Sequence, residues 1–564
     1  MKFSEYQYDR PDLKKFEQAF LSLLEKFEQA ESYDQQSDAL KGIVEERNHF
    51  ETMMTICSIR HSIDTNDQFY KEENDFFDEH SPLYEGFVSK FYKRLVDSKY
   101  RNQLEEEWGP QLFRIAELSL KTFSDEIVED LKKENKLSTE YTKLIASAKI
   151  QFDGKERTLP QLAPFVQSKD RKTRKEATEA RYGFLEDNEE KFDAIYDNLV
   201  KVRTDIAKKL GYRNFVELGY DRMVRSDYTA KEVRGFRDQV KEYIVPISQK
   251  LYERQRERIG VETLTYYDIP YSFKSGNPTP KGDPEWIINH GKRMYKELSP
   301  ETNEFFQYMF DNELMDLVSK QGKQSGGYCT YISNYQSPFI FSNFVGTSHD
   351  IDVLTHEAGH AFQVYSSRHL SVPEYTIPTY EAAEIHSMSM EFFTWPWMEY
   401  FFEEDTEKYK FSHLSSALNF IPYGVAVDEF QHYVYETPEA TPAERKQAWR
   451  RIEKKYLPHR TYEENAYLER GGFWHQQSHI FRSPFYYIDY TLAQICAFQF
   501  WEKANQDRSQ AWEDYLQLCK QGGSKSFTEL VQFANLQSPF TENCVQSVIA
   551  DIEGWLNQVD DQKL

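Results

Sequence analysis

The sequence predicts a mainly α protein with one small β-sheet set beside a central helix. Three observations lead there. Apolar residues recur at three- and four-residue spacings over most of the chain, the mark of helices with one buried face. Alternation and turn signals are confined to a few short stretches. One of these runs directly into "VLTHEAGHAFQ" (Val353–Gln363), a helical pattern with two histidines one turn apart.

Taken in order, "RPDLKKFEQAFLSLLEKFEQAES" places Leu13, Phe16, Phe20, Leu23, Leu24 and Phe27 on one helical face. The same periodicity recurs in "HSPLYEGFVSKFYKRLVDS", "EEKFDAIYDNLVKVRTDIAKKLG" and "ETNEFFQYMFDNELMDLVSKQ", all read as helix. Between them, "KIQFDGKERTLPQLAPFVQS" (Lys149–Ser168) has alternation, an Asp-Gly pair and prolines, which predict a short hairpin or a domain junction. Thr263 to Pro280 is loop-like. "GGYCTYISNYQSPFIFSNFVGTS" (Gly326–Ser348) is rich in aromatic and β-branched residues with Gly and Pro punctuation, so it supplies the strands of the predicted sheet. No repeat or low-complexity linker interrupts the chain.

At 564 residues the length prior is roughly four units of about 150 residues, although single catalytic bodies exceed that size. The chain holds 41 Phe, 38 Tyr and 9 Trp, enough rings for a large core and for pocket walls. A net charge of −24, from 69 Lys+Arg against 93 Asp+Glu, argues against binding nucleic acid or an acidic membrane surface. The N-terminal stretch lacks the apolar core of a signal peptide, and no apolar run reaches membrane-spanning length. Five widely spaced cysteines without a CxxC pair fit free thiols in a reducing compartment. The expectation is a soluble, cytoplasmic protein, monomer or homo-oligomer undetermined.

On a helix capped by Ser348 or Asp350, Ile351, Leu354, Ala358, Ala361 and Phe362 form the apolar stripe. His356 and His360, at i and i+4, then project from one face and can reach a single divalent metal ion. Glu357 is rotated away from that pair and can face a metal-bound water. H-E-x-x-H on a helix is the signature of zinc peptidases for this reason. Chance supplies roughly 0.03 such matches in a chain of this composition, against a bland helix that carries two unrelated histidines. A catalytic zinc needs a third protein ligand and an open position. "PTYEAAEIHSMSMEFFTW" offers Glu384, 24 residues after His360, with Glu381, His386 and Glu391 as rivals that spacing does not exclude. Glu391 shares the face of Glu384 and could instead support a ligand from behind. Asp352, at i−4 from His356, could orient that imidazole or merely cap or solvate the helix.

"HEAGHAFQ", followed by "EAAEIHSMSMEFF" and then "HIFRSPFYYIDYTLAQ", resembles the thimet oligopeptidase/oligoendopeptidase F family of zinc peptidases, its Pz-peptidase branch most of all. The likeness includes "KKLGYRNFVELGYDRMVRSDY" (Lys208–Tyr228) and "PFIFSNFVGTSHDIDVLTHEAGH", and covers most of the chain from about Lys175. It implies His356, His360 and Glu384 as ligands of one Zn²⁺ per chain and Glu357 as general base. It implies two helical lobes around a deep substrate channel. On this basis residues 1–170 form an N-terminal helical region and 171–564 the catalytic domain, both parts of one channelled body.

"WHQQSHIFRSPFYYIDY" crowds Tyr486, Tyr487 and Tyr490 into five positions below His479. Phenol or imidazole donors can stabilise the oxyanion formed in peptide hydrolysis, though ring packing alone would also explain the cluster. By resemblance His479, Tyr486 and Tyr490 are catalytic, with Tyr487 a substrate contact that a one-residue shift of register would exchange for its neighbour. The pairs Gly326–Gly327 and Gly471–Gly472 are read as substrate-binding loops that close on peptide, or as ordinary turns.

The function expected from these parts is hydrolysis of internal bonds in short unstructured peptides by Glu-assisted attack of a zinc-bound water. The resemblance adds tolerance of Gly- and Pro-containing, collagen-derived peptides. The rivals are a carboxypeptidase or dipeptidyl carboxypeptidase on the same fold, and a non-catalytic peptide-binding helical protein.

Overall fold

In the computed structural model, which describes residues 1–320, 322–324 and 326–564, helices account for 72% of the chain and the sheets are small. The first long helices, Leu13–Gln29, Tyr33–Ile63 and Gln68–Val96, form where the periodicity places them. Asp12 caps the first by accepting from the Lys14 and Lys15 N–H groups, and Phe16, Phe20, Leu24 and Phe27 are buried. One continuous apolar core runs from Phe3 through Leu556 and so joins the N-terminal helices to everything that follows.

Lys149–Ser168 contains a hairpin. Strands β1 (Ile150–Phe152) and β2 (Lys155–Arg157) pair antiparallel across the Asp153-Gly154 turn, both of whose residues have positive φ. The segment from Glu301, expected to be helical throughout, is helical only over Pro300–Asp311. Asn312 and Glu313 turn the chain, with Glu313 at φ 54°, and Met315–Val318 continues as strand β3.

Strand β3 lies parallel to β5 (Ser337–Phe344), and β4 (Tyr328–Ile332) pairs antiparallel with the other edge of β5. The central strand is buried on both faces, which is why it reads as a continuous apolar run. Helix α1 (Ser348–Ser367) follows β5 after a three-residue turn and packs on the sheet. Its cap residue is Thr347, not Ser348 or Asp350. The Asp350 carboxylate instead accepts from the N–H groups of Val345 and Gly346 and so fixes the angle between strand and helix. The stripe Ile351, Leu354, Ala358, Ala361 and Phe362 is wholly buried, as the spacing requires.

Four further helices complete the surroundings: α2 (Tyr380–Phe393), α3 (Thr406–Glu436), α4 (Tyr487–Gln506) and α5 (Arg508–Gln521). α2 lies between α1 and α4, and α3 packs on α4. Gly359 sets how close α1 and α2 come. A Cβ there would stand 2.6 Å from the His386 carbonyl oxygen and 2.7 Å from Ser387 Cα, so only glycine allows this approach. No helix among the described residues is long and apolar enough to cross a membrane. The five cysteines are unpaired, four of them buried.

Candidate metal centre

The motif helix α1 and the following helix α2 bring three donors together. His356 Nε2 lies 3.2 Å and His360 Nε2 3.3 Å from the same oxygen of Glu384. Ligands at ~2.0–2.1 Å from a tetrahedral zinc stand roughly 3.3–3.4 Å apart, so these atoms have the spacing of three corners of such a site. No other group of three His, Cys, Asp or Glu side chains converges in this way among the described residues. The rivals of Glu384 face elsewhere. Glu381 accepts from Tyr228 Oη at 2.9 Å, and His386 is fully buried with Nδ1 against the Ala382 carbonyl.

The donors are braced from behind. His356 Nδ1 donates to Glu391 at 2.7 Å, which leaves Nε2 free to coordinate. The second oxygen of Glu391 accepts from His413 Nε2 at 2.7 Å, and His413 Nδ1 in turn accepts from Trp395 Nε1 at 3.1 Å. Asp352 plays no part in orienting His356: it accepts from Tyr409 Oη at 2.7 Å, and Glu391 occupies the position it would have needed. Glu384 is held by Ser387 Oγ at 2.8 Å on one oxygen and by Tyr486 Oη at 2.7 Å on the other.

Electrostatically the centre is built for a cation. Burial works against a charge on His356, but the hydrogen bonds and charges of Glu384 and Glu391 outweigh it and hold the imidazole well above its usual pKa. Burial also raises the Glu384 carboxyl, yet the two histidines win and hold it well below the carboxylate range. A divalent ion at the same point would take the place of the proton. Glu357 is 7% exposed, and its Oε2 has no hydrogen-bond partner among the described residues. Burial pushes its pKa up, partly offset by His356 and His360. A buried, unpaired carboxylate oxygen beside three convergent donors has the chemistry of a proton acceptor.

The His479 segment faces this centre from the start of α4. The rings of Tyr486 and Tyr490 lie 5.0 Å apart, and Tyr490 Oη is 3.4 Å from His479 Nε2. Tyr423 Oη donates to Gln477 Oε1 at 2.7 Å, and Gln477 Nε2 donates to His479 Nδ1 at 2.8 Å. That chain leaves the proton of His479 on Nε2. Burial pulls the His479 pKa down to about 4, so near neutrality it is an uncharged donor. Tyr487 packs on the other side of His479, against Phe420 and Tyr423.

Phe485, just before the tyrosines, has φ 67° although it is fully buried and bulky. Such a conformation persists only where surroundings impose it. Here Gln431 Oε1 accepts from its N–H at 2.8 Å, an Arg225 guanidinium N–H donates to its carbonyl, and its ring lies on Gly219, where a Cβ would be 2.5 Å from it. Sequence reasoning missed Phe485, Gln431, Arg225 and Gly219 in this role, and only Gly219, inside an otherwise conventional helix, left a trace.

Of the glycine pairs, Gly326 and Gly327 are exposed, and a Cβ on Gly327 would be 3.4 Å from Glu357 Oε1, so this pair borders the centre. Gly471 and Gly472 are buried, wedged against the Lys446 carbonyl and the Tyr467 ring. Close packing accounts for them, not a loop that closes on peptide.

Comparison with known proteins agrees with this geometry. The Peptidase M3 N-terminal domain model matches residues 3–123, and the Peptidase family M3 model matches 165–278 and 300–548. A solved structure of PZ peptidase A with an inhibitor is 66% identical over the full length of both chains, with a TM-score of 0.98. A putative oligoendopeptidase F from Bacillus anthracis is 62% identical over 100% of this chain and 99% of that one, with a TM-score of 0.93. The oligoendopeptidase F homologue of Borreliella burgdorferi is 25% identical over 377 residues, 64% of this chain and 61% of that relative. The chain thus aligns with less than two thirds of that curated relative's length.

Proposed function

The chain belongs to peptidase family M3, and on that premise we propose that it is a zinc-dependent oligoendopeptidase that cleaves internal bonds of short, unstructured peptides. The observation that carries the proposal is the three-donor centre with the unpaired Glu357 oxygen beside it. His356, His360 and Glu384 would hold one zinc ion, which supplies Lewis acidity and lowers the pKa of a bound water. Glu357 accepts the proton of the attacking water at Oε2 and delivers it to the leaving amine. His479, through Nε2–H, and Tyr490, whose hydroxyl has only the long contact to His479, donate to the oxyanion that develops on the scissile carbonyl. Tyr486 acts from beside them, its hydroxyl steadying the Glu384 carboxylate in the resting site. Gly326 and Gly327 border the peptide on the side of Glu357, and Tyr487 lines it on the side of His479.

The likeness to the Pz-peptidase branch adds Gly- and Pro-containing peptides to the expected substrates. The unpaired cysteines support a cytoplasmic site of action. The test is Glu357→Ala assayed on a peptide blocked at both ends. Wild type cleaves it, whereas the variant keeps zinc and peptide binding and loses about 10²–10⁴-fold in kcat. Cleavage by the variant at the wild-type rate would remove Glu357 from the mechanism. Failure of wild type on the doubly blocked peptide would favour an exopeptidase.

A further inference from the structure

A cavity of about 290 Å³ lies between α3 and the helix Val245–Ile259. Phe420 and Tyr423, in its wall, also pack on the tyrosine cluster: Phe420 lies edge-on to Tyr487 and Tyr490, and Tyr423 is edge-on to Tyr487. Tyr423 Oη begins the hydrogen-bond chain that ends on His479. The cavity therefore adjoins the proposed catalytic groups and is distinct from the metal centre.

Its charge is opposite to that of the molecule. In a chain of net charge −24, the lining holds two arginines, Arg258 and Arg460, and no Asp or Glu. Each arginine shares a single carboxylate with a second arginine. Arg258 and Arg254 both bind Asp561, and Arg460 and Arg450 both bind Glu453. Each trio thus keeps one positive charge in excess. The second acid on Arg450, Glu469, is half exposed and correspondingly screened. Arg460 rests on the faces of Phe473 and Tyr423, 4.2 and 5.2 Å from the ring centroids, which desolvates its faces and leaves its N–H edge as the polar contact. Ser415, also in the wall, has a buried hydroxyl oxygen with no partner among the described residues. A cavity lined by desolvated cations and an unpaired hydroxyl is matched by an anion that accepts hydrogen bonds.

We propose that this cavity binds a carboxylate of the substrate, either the C-terminal carboxylate of the peptide or an acidic side chain downstream of the cleaved bond. The proposal rests on the peptidase reading above. A peptide whose scissile carbonyl lies at His479 runs past Tyr487, Phe420 and Tyr423 into the cavity. Arg460 and Ser415 take the carboxylate there, and Arg258 contributes charge.

The experiment compares three quenched fluorescent peptides of one sequence: the free acid, the C-terminal amide, and an amide with one Glu near its C-terminus. Wild type should cleave the free acid with kcat/KM roughly tenfold above the plain amide, the difference residing in KM. In Arg460→Gln the acid-to-amide ratio should fall to near one, and in Ser415→Ala by a smaller factor. Preference for the Glu-containing amide over the plain amide identifies a side chain as the source of the carboxylate, and preference for the free acid alone identifies the terminus. Equal cleavage of all three peptides by wild type, or a preference that survives both substitutions, would overturn the proposal. Glu357→Gln is run alongside and should abolish cleavage of all three, so loss of the catalytic reading would be visible separately.

Discussion

The two sides of the site are anchored differently. His356, His360, Glu384 and Glu391 stand on α1 and α2, two long helices packed face to face through Gly359, and hydrogen bonds brace the donors from behind. His479 stands on a five-residue helix, Ser478–Arg482, and the tyrosines follow a left-handed Phe485 that three other elements hold in place. The metal side is preorganised by regular packing, as a site that must match a fixed coordination geometry requires. The opposite side has looser contacts, the 3.4 Å approach of Tyr490 to His479 among them, and can adjust to a peptide. Substitutions on the first side should therefore register in metal affinity, and those on the second in turnover.

The sharpest separation is expected from Tyr490→Phe. It should lower kcat by about 10²-fold while the zinc content stays at the wild-type value, because it removes one oxyanion donor and touches no ligand. Metal analysis of the purified variant beside steady-state kinetics checks both halves, and loss of zinc would erase the distinction between the sides. Next in size, Glu391→Gln should weaken zinc binding by about 10–100-fold in a chelator competition, since the amide no longer fixes the His356 tautomer. Normal affinity there would mean that the bracing chain through His413 has no influence on the ligand. Smallest is Gly219→Ala. The new methyl group must displace Phe485, which should cost about 1–3 kcal/mol in denaturant unfolding and lower kcat several-fold with zinc retained. Unchanged kcat would show that the Phe485 conformation does not aim the tyrosines.

The same contrast explains what the sequence could disclose. The pair His356 and His360 was legible because i,i+4 spacing on one helix is a local property. Glu384 was not separable from Glu381, His386 and Glu391 by spacing, since the choice depends on how α2 is rotated against α1. That rotation places Glu381 against Tyr228 and packs His386 against Tyr515, contacts between distant parts of the chain. Family resemblance selected Glu384 where periodicity could not. Strand β3 was hidden because Leu314, Met315, Leu317 and Val318 suit a helical period as well as a strand. The turn before it uses Glu313 at positive φ, a residue that carries no turn signal. The contact of Phe485 with Gly219 joins segments far apart in sequence and had no local mark beyond a glycine within a helix.

The central claim is that His356, His360 and Glu384 form one zinc site. Its most direct test is zinc per chain after dialysis against a mild chelator, measured for wild type and Glu384→Ala, with circular dichroism to verify that both are folded. The account predicts one zinc per chain in wild type and a folded, zinc-depleted variant that no longer cleaves peptide. A folded Glu384→Ala protein that retains one zinc as tightly as wild type would contradict it.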